Sequence, residues 1–287
     1  MDAEQRAMHE ANRLSWNEAT KAHNSHKGDQ AAFFRAGNSK LYPEERELLG
    51  DLRGKRVVHL QCNSGQDTLG LVQLGGDVTG VDISDEAIDF ARRLSADSGV
   101  PARFVRSDVY DWLEQASAAG ERFDVVFSSY GALIWLSDIK AWARGVAGVL
   151  APGGRYVTVE FHPVLSMLEE GWKLTYDYFG TGTAWKWDEG VSDYVARSGE
   201  GLALMTYEEG ITGFKNPNPC YEFPWPVSEI ITALLDAGLV LETFCEYPYA
   251  NGFRPFPDMR DLPGRRTMPP ESMPNMPLMY AISARKP

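Results

Sequence analysis

The sequence predicts an α/β protein built on a doubly wound, largely parallel sheet, and three observations predict it. From Lys55 to Glu160, short apolar or β-branched runs alternate with segments that read as helices, the order expected of βαβ units. The first run passes straight into a polar, glycine-containing turn and then a helix, where open sheets of this kind bind ligands. The second run ends on an acidic residue, Asp82, placed to meet a ligand at the same edge.

Taken in order, Asp2 to His23 reads as a helix of mixed charge with few breakers, and Trp16 is its one bulky aromatic. Gly28 to Gly37 is looser, and Tyr42-Pro43-Glu44-Glu45 reads as a helix start, because proline is tolerated in a first turn. Val57 to Leu60 is the first strand, Gln66 to Leu74 a helix stopped at Gly75-Gly76, and Asp77 to Val81 the second strand. Ser84 caps a helix from Asp85 to about Ser95, with Asp85 and Glu86 suiting its positive end. Ala102 to Val105 and Phe123 to Phe127 are the third and fourth strands. Ile139 to Leu150 is a helix ended by Pro152-Gly153-Gly154, and Arg155 to Glu160 is the fifth strand. Pro163 to Pro226 breaks the rhythm. It is rich in Trp, Tyr, Gly and Pro and reads as an insertion of small antiparallel strands. Val227 to Ala237 is a helix closed by Gly238, Leu239 to Glu246 a sixth strand, and Leu278 to Ala284 the last. Between them Pro248 to Pro277 reads as one long loop, a length that marks a functional segment. The expected division is an N-terminal helical cap (1–50), a ligand-binding core (51–162), a substrate-covering insertion (163–226) and the remainder of the core (227–287).

The chain has 287 residues, 44% of them hydrophobic, and a formal net charge of −12. That charge repels a phosphate backbone, so nucleic acid is an unfavourable partner. No apolar stretch is long enough to span a bilayer, and the charged start lacks the apolar stretch of a signal peptide, so the expected location is cytoplasmic. Cys62, Cys220 and Cys245 are scattered, and the five histidines form no HExxH pair, so neither a disulfide framework nor a metal is implied.

The turn Gln61-Cys62-Asn63-Ser64-Gly65 must let a ligand approach the backbone. Gly65 permits both the approach and unusual dihedrals, and Asn63 tolerates left-handed conformations. Asp82 can accept from both hydroxyls of a ribose, or act as an ordinary helix cap. Asp108 can accept from an adenine amino group, with Val109 and Ile83 on the ring faces. The turn is not GxGxxG, which counts against a pyrophosphate-bearing dinucleotide.

The stretch Val58-His59-Leu60-Gln61-Cys62-Asn63-Ser64-Gly65-Gln66-Asp67-Thr68-Leu69 resembles the "HLQC-x-x-GQDTL" branch of the class I, Rossmann-like S-adenosylmethionine (SAM)-dependent methyltransferases. Val81-Asp82-Ile83-Ser84, Leu150-Ala151-Pro152-Gly153-Gly154, Glu160-Phe161-His162-Pro163, Gly171-Trp172-Lys173-Leu174 and Phe256-Pro257-Asp258-Met259 extend the likeness over nearly the whole chain. The resemblance implies about seven strands with the last antiparallel, SAM over Gln61 to Gly65, its ribose on Asp82 and its adenine near Ile83, Asp108 and Val109. It also implies Ser128 at the methionine end. Trp16 and His23 then either fold over the cofactor or, in the case of Trp16, simply anchor the first helix.

The fourth and fifth strands should border the reactive methyl, which brings Tyr130 and His162 forward, with Tyr178 from the insertion. His162 is either a general base titrating near neutrality or a structural residue beside Pro163. Tyr130 and Tyr178 either orient a nucleophile or pack. Trp185, Trp187, Tyr221 and Trp225, with Phe256, are the expected substrate wall, suited to a flat acceptor and to a sulfonium. Where the branch commonly carries an Asn-His-Ser-like stretch, this chain has Pro224-Trp225-Pro226, which points to a hydrophobic, heteroaromatic acceptor and to natural-product biosynthesis. Without an unmistakable base, an N or C nucleophile is expected over O. The alternatives are an O-methyltransferase on a small metabolite, an NAD-dependent oxidoreductase and a non-catalytic SAM-binding protein. The first helix offers a surface for a homo-oligomer.

Overall fold

The computed structural model describes residues 1–180, 183–203 and 205–287. Seven strands form one mixed sheet: β1 (Arg56–Leu60), β2 (Asp77–Asp82), β3 (Arg103–Arg106), β4 (Phe123–Ser129), β5 (Leu150–Phe161), β6 (Val240–Tyr247) and β7 (Met279–Arg285). Their order across the sheet is β6-β7-β5-β4-β1-β2-β3. β1 runs parallel to β2 and β4, β2 to β3, and β4 to β5. β7 is antiparallel to both of its neighbours, β5 and β6, as expected of the last strand. Strand order reverses between β1 and β4, which opens a crevice at their carboxyl ends.

Nine helices accompany the sheet among the described residues: α1 (Ala3–Ser25), α2 (Gln30–Arg35), α3 (Pro43–Leu49), α4 (Gln66–Gln73), α5 (Asp85–Ser98), α6 (Val109–Ala118), α7 (Ile139–Val149), α8 (Tyr194–Ser198) and α9 (Val227–Asp236). The two-residue period of the strands assigns their faces. Val58, Leu60, Val126, Tyr156 and Tyr280 turn toward Trp112 of α6, Trp142 of α7 and Leu234 of α9. Val57, Val78, Val125, Phe127 and Val157 turn the other way, onto Leu49 of α3 and Leu71 of α4. Neither α2 nor α6 is among the expected elements. The apolar positions Val109, Trp112, Leu113 and Ala116 of α6 follow helical spacing, and Asp108 caps it by accepting from the Tyr110 N–H at 2.9 Å.

The insertion does contain small antiparallel pairs, 168–169 with 173–174 and 185–187 with 220–222, together with α8 and short 3₁₀ turns. The segment expected as one long loop instead holds three short strands, 250–251, 260–262 and 266–268, in a small antiparallel sheet. Gly264 and Arg265, at φ 82° and 59°, supply the left-handed turn that a hairpin requires there. Among the described residues no helix is long and apolar enough to cross a membrane.

Candidate functional site

A cavity of about 1020 Å³ lies at the carboxyl ends of β1, β2, β4 and β5, bounded above by α1 and the insertion. Its floor begins at the turn after β1. Gln61 and Asn63 adopt φ of 54° and 48°, left-handed conformations that cost an ordinary side chain about 1 kcal/mol or more. The turn is held from two sides. The Cys62 N–H donates to the Val81 carbonyl at 2.9 Å, and the Asn63 N–H donates to Asp82 Oδ2 at 2.8 Å. Asp82 Oδ1 accepts from the Ser84 N–H at 2.8 Å. Burial pushes the Asp82 carboxyl up to about 6, against the pull of these backbone donors. Each of its oxygens keeps a lone pair for a further donor.

Ile83, Asp108 and Val109 also line the cavity. Asp108 Oδ2 pairs with His9 Nδ1 of α1 at 2.6 Å, and His9 Nε2 lies 2.9 Å from Ser137 Oγ. Gln61 donates its amide N–H to the Ala132 carbonyl at 2.6 Å, whereas its Oε1 is buried with no hydrogen-bond partner. A buried acceptor left without a donor at a cavity wall is a position that a ligand's donor can satisfy. Two oxygen-rich acids, two apolar side chains and this orphaned acceptor fit a nucleoside joined to a cationic tail.

Three expected cofactor residues lie elsewhere. Gly65 caps α4 at φ 78°, and a Cβ there would come within 2.8 Å of Ala91 and Phe104. Glycine is thus required there for packing against α5 and β3, and Gly65 does not itself line the cavity. Ser128 follows Phe127 in the alternation of β4 and faces the α7 side beside Tyr156, fully buried; Ser129 lines the cavity instead. His23 is buried behind the wall, with Nε2 2.9 Å from the Ser192 carbonyl and its ring 4.2 Å from that of Tyr194. Burial lowers its pKa to about 4, so the ring is neutral near pH 7. Trp16 does line the cavity, edge-on to Trp135 at 5.4 Å, so it anchors α1 and faces the site at once.

Of the three expected catalytic side chains, Tyr130 alone reaches the cavity. It has φ 28° and is followed by Gly131 at 71°, an unusual backbone path fixed by Glu160. The Glu160 carboxylate accepts from the N–H groups of Gly131, Ala132, Leu133 and Phe161. Asn251 Nδ2 donates to the Tyr130 hydroxyl at 2.9 Å. Burial and the neighbouring Glu45 hold that phenol well above its ordinary pKa, so it stays protonated. His162 is buried outside the cavity wall. Its Nδ1 accepts from the Val164 N–H at 3.2 Å, which leaves Nε2 to donate to Glu246 at 3.1 Å. Both ring nitrogens are engaged in structural contacts, which matches the structural one of the two roles the sequence allows. Tyr178 also lies outside it, with its hydroxyl accepting from the Val227 N–H at 3.3 Å.

The aromatic wall is largely as expected: Trp185, Trp187, Trp225 and Phe256 line the cavity. Trp187 Nε1 donates to Glu222 at 2.8 Å, and Trp225 Nε1 donates to the Leu136 carbonyl at 2.7 Å. Tyr221 does not face inward. Its backbone N–H and carbonyl are tied to Asn12 of α1 at 2.6 and 2.9 Å, and the strand period then turns its neighbour Glu222 to the cavity. Sequence reasoning missed Lys27, Lys40, Glu45, Asp67 and Asn251. Asp67 lies inside the quoted motif and was the findable one; it pairs with Lys40 at 3.2 Å and accepts from Ser129 Oγ at 3.2 Å. Glu45 is fully buried, with burial and Asp67 pushing its carboxyl up to about 8.

Residues 57–154 match a family described as a methyltransferase domain. A ubiquinone biosynthesis O-methyltransferase of Bordetella avium (strain 197N) is 30% identical over 109 residues, 38% of this chain and 44% of that protein. The chain thus spans less than half the length of the curated relatives it matches. The CcbJ methyltransferase of Streptomyces caelestis superposes with a TM-score of 0.59 at 15% identity, over 96% of this chain and 98% of that one. A SAM-dependent methyltransferase of Mesorhizobium loti superposes with a TM-score of 0.51 at 21% identity, over 85% of this chain and 96% of that one. At such identities the structural likeness speaks for the fold. The chain has the fold of the class I SAM-dependent methyltransferases, the cofactor of that fold is SAM, and residues 57–154 are the part that matches the methyltransferase-domain family.

Proposed function

We propose that the protein transfers the methyl group of SAM to an oxygen of a small aromatic or heterocyclic acceptor. The observation that carries this reading is the continuity of the cavity: the wall formed by Gln61, Asp82 and Asp108 runs without a break into the wall formed by Trp185, Trp187, Trp225 and Phe256. Asp82 would hold the ribose hydroxyls, Asp108, Ile83 and Val109 the adenine, and Gln61 Oε1 the amino acid end. SAM supplies an activated methyl at a sulfonium, so the protein's task is alignment and exclusion of water.

The preference for N or C acceptors drawn from the missing base gives way to oxygen on two grounds. Most of the curated relatives matched are ubiquinone biosynthesis O-methyltransferases, while one, from Talaromyces variabilis, is a SAM-dependent Diels-Alderase. Tyr130 also presents a protonated hydroxyl at the cavity wall, able to hold an acceptor oxygen, with Asn251 fixing its direction. The motif wording supports the HLQC branch, and the aromatic wall favours a natural-product or quinone-type substrate. Incubation with SAM and a panel of small phenols, catechols, indoles and amines, read by mass spectrometry, tests the reading. O-methyl products are expected. Products methylated only on N or C would overturn the choice of atom, and binding of NAD with no binding of S-adenosylhomocysteine (SAH) would overturn the whole assignment.

A further inference from the structure

Lys27 stands just beyond the end of α1, and its side chain lines the cavity although the residue is only 9% exposed. Among the described residues its ammonium makes no ion pair and no hydrogen bond, while the acids nearest it are committed elsewhere. Asp67 pairs with Lys40 at 3.2 Å. Asp193 pairs with His26 at 2.9 Å and caps α8 by accepting from the Ala196 N–H at 3.1 Å. A buried ammonium without a counter-charge is costly, and burial lowers the Lys27 pKa to about 7.

Its place in the fold adds a second observation. Asn24, in the last turn of α1, donates to Ser64 Oγ at 2.8 Å and accepts from Gln66 Nε2 at 3.1 Å. The end of α1 is thereby fastened to the start of α4, an eight-residue helix whose first N–H groups and dipole favour an anion. Gln61 Oε1, the buried acceptor without a donor, sits in the turn that leads into the same helix. The lining of this one cavity thus includes a bare ammonium on the segment fastened to the start of α4 and a bare neutral acceptor in the turn that leads into α4. That pattern is complementary to an α-amino acid, with carboxylate and ammonium on one carbon.

We propose that Lys27 and the first turn of α4 bind the α-carboxylate of the cofactor's amino acid end, and that Gln61 Oε1 takes its α-ammonium. The proposal rests on the cofactor assignment above and adds a residue outside the methyltransferase domain to it. The titratable groups around Lys27 are Lys40, Asp67, Asp193 and His23. A carboxylate beside Lys27 raises its pKa again, so ligand binding takes up a proton above pH 7.

Calorimetry on the full chain with two probes tests this. SAH carries the amino acid; 5′-methylthioadenosine keeps the adenosine and sulfur and lacks it. Wild type should prefer SAH, and Lys27→Met should lose about 30-fold in SAH affinity with 5′-methylthioadenosine affinity within twofold. Lys27→Arg should keep most of the SAH preference. Titration of wild type at pH 8 in buffers of different ionisation enthalpy needs no variant and should show proton uptake with SAH and none with 5′-methylthioadenosine. An unchanged SAH preference in Lys27→Met, or equal proton uptake with both probes, overturns the proposal. If wild type binds neither nucleoside, the cofactor assignment itself has failed, a result that a misassigned Lys27 cannot produce.

Discussion

At the strand ends the cavity is held by backbone. Asp82 bridges two turns through the Asn63 and Ser84 N–H groups, and Glu160 gathers four N–H groups around the bend after Tyr130. Across the cavity the insertion is held by side chains. Tyr176 and Trp185 lie ring to ring at 5.1 Å, Tyr176 and Trp187 at 5.7 Å, and the strands beneath them are three residues long. Backbone-anchored carboxylates tolerate little displacement, because moving one breaks several bonds together. Packed rings can exchange with one another at modest cost. One wall is thus suited to a constant ligand and the other to a variable one.

That contrast is open to attack, beginning where the largest effect is expected. Asp82→Ala should weaken SAH binding about 100-fold, since it removes a charged acceptor and releases both turns. In wild type the same affinity should fall as pH drops through about 6, where the buried carboxyl takes a proton. Calorimetry from pH 5 to 8 checks both, and a flat profile would remove Asp82 from the ligand.

On the other wall, Trp187→Ala should raise the KM for an aromatic acceptor about tenfold and leave the SAH Kd within twofold. Loss of SAH binding in that variant would show that the two walls are not separable.

Glu45 probes the region between them. Its carboxyl is raised from the ordinary carboxylate range to about 8 in the folded protein. The folded state therefore holds a proton that the unfolded state releases, and the stability this contributes is present below about pH 4.5 and lost as pH rises through about 8. Thermal melts should show Glu45→Gln gaining on wild type between pH 5 and 9; a constant gap would contradict the buried, protonated state. The smallest effect belongs to His162→Gln, which should change kcat by less than about threefold, because both ring nitrogens are engaged away from the cavity. A hundredfold loss would restore His162 as a base.

The sheet and the backbone-held wall were the legible part. Val57 to Asp82 spells strand, turn, helix, strand in contiguous residues, and Gln61, Asn63 and Asp82 line the cavity as that spelling implies. Ser128 against Ser129 was decided by strand parity, which a shift of one residue inverts. His162 was left between a base and a structural residue because its ring chemistry allows both, and only its neighbours, Val164 two residues on and Glu246 on β6, engage it in structure. Lys27 and Glu45 lie in surface-like sequence, and only the closure of residues 1–50 onto the core buries them. The rings of the insertion were legible as a set. Tyr221 dropped out because its strand pairs through Asn12 of α1, a contact 209 residues apart in the chain.

That last contact is one of a series. Ser15 accepts from the Val191 N–H at 2.9 Å, His23 meets the Ser192 carbonyl at 2.9 Å, His26 meets Asp193 at 2.9 Å, and the Glu208 N–H donates to the His26 carbonyl at 3.0 Å. The insertion is thus sewn to the first helix along its length as well as resting on the sheet below. For anyone exchanging acceptor preference between relatives, the transplantable unit is therefore split: residues 163–226 would have to travel with residues 1–26, and a graft of the insertion alone would arrive without its counterpart.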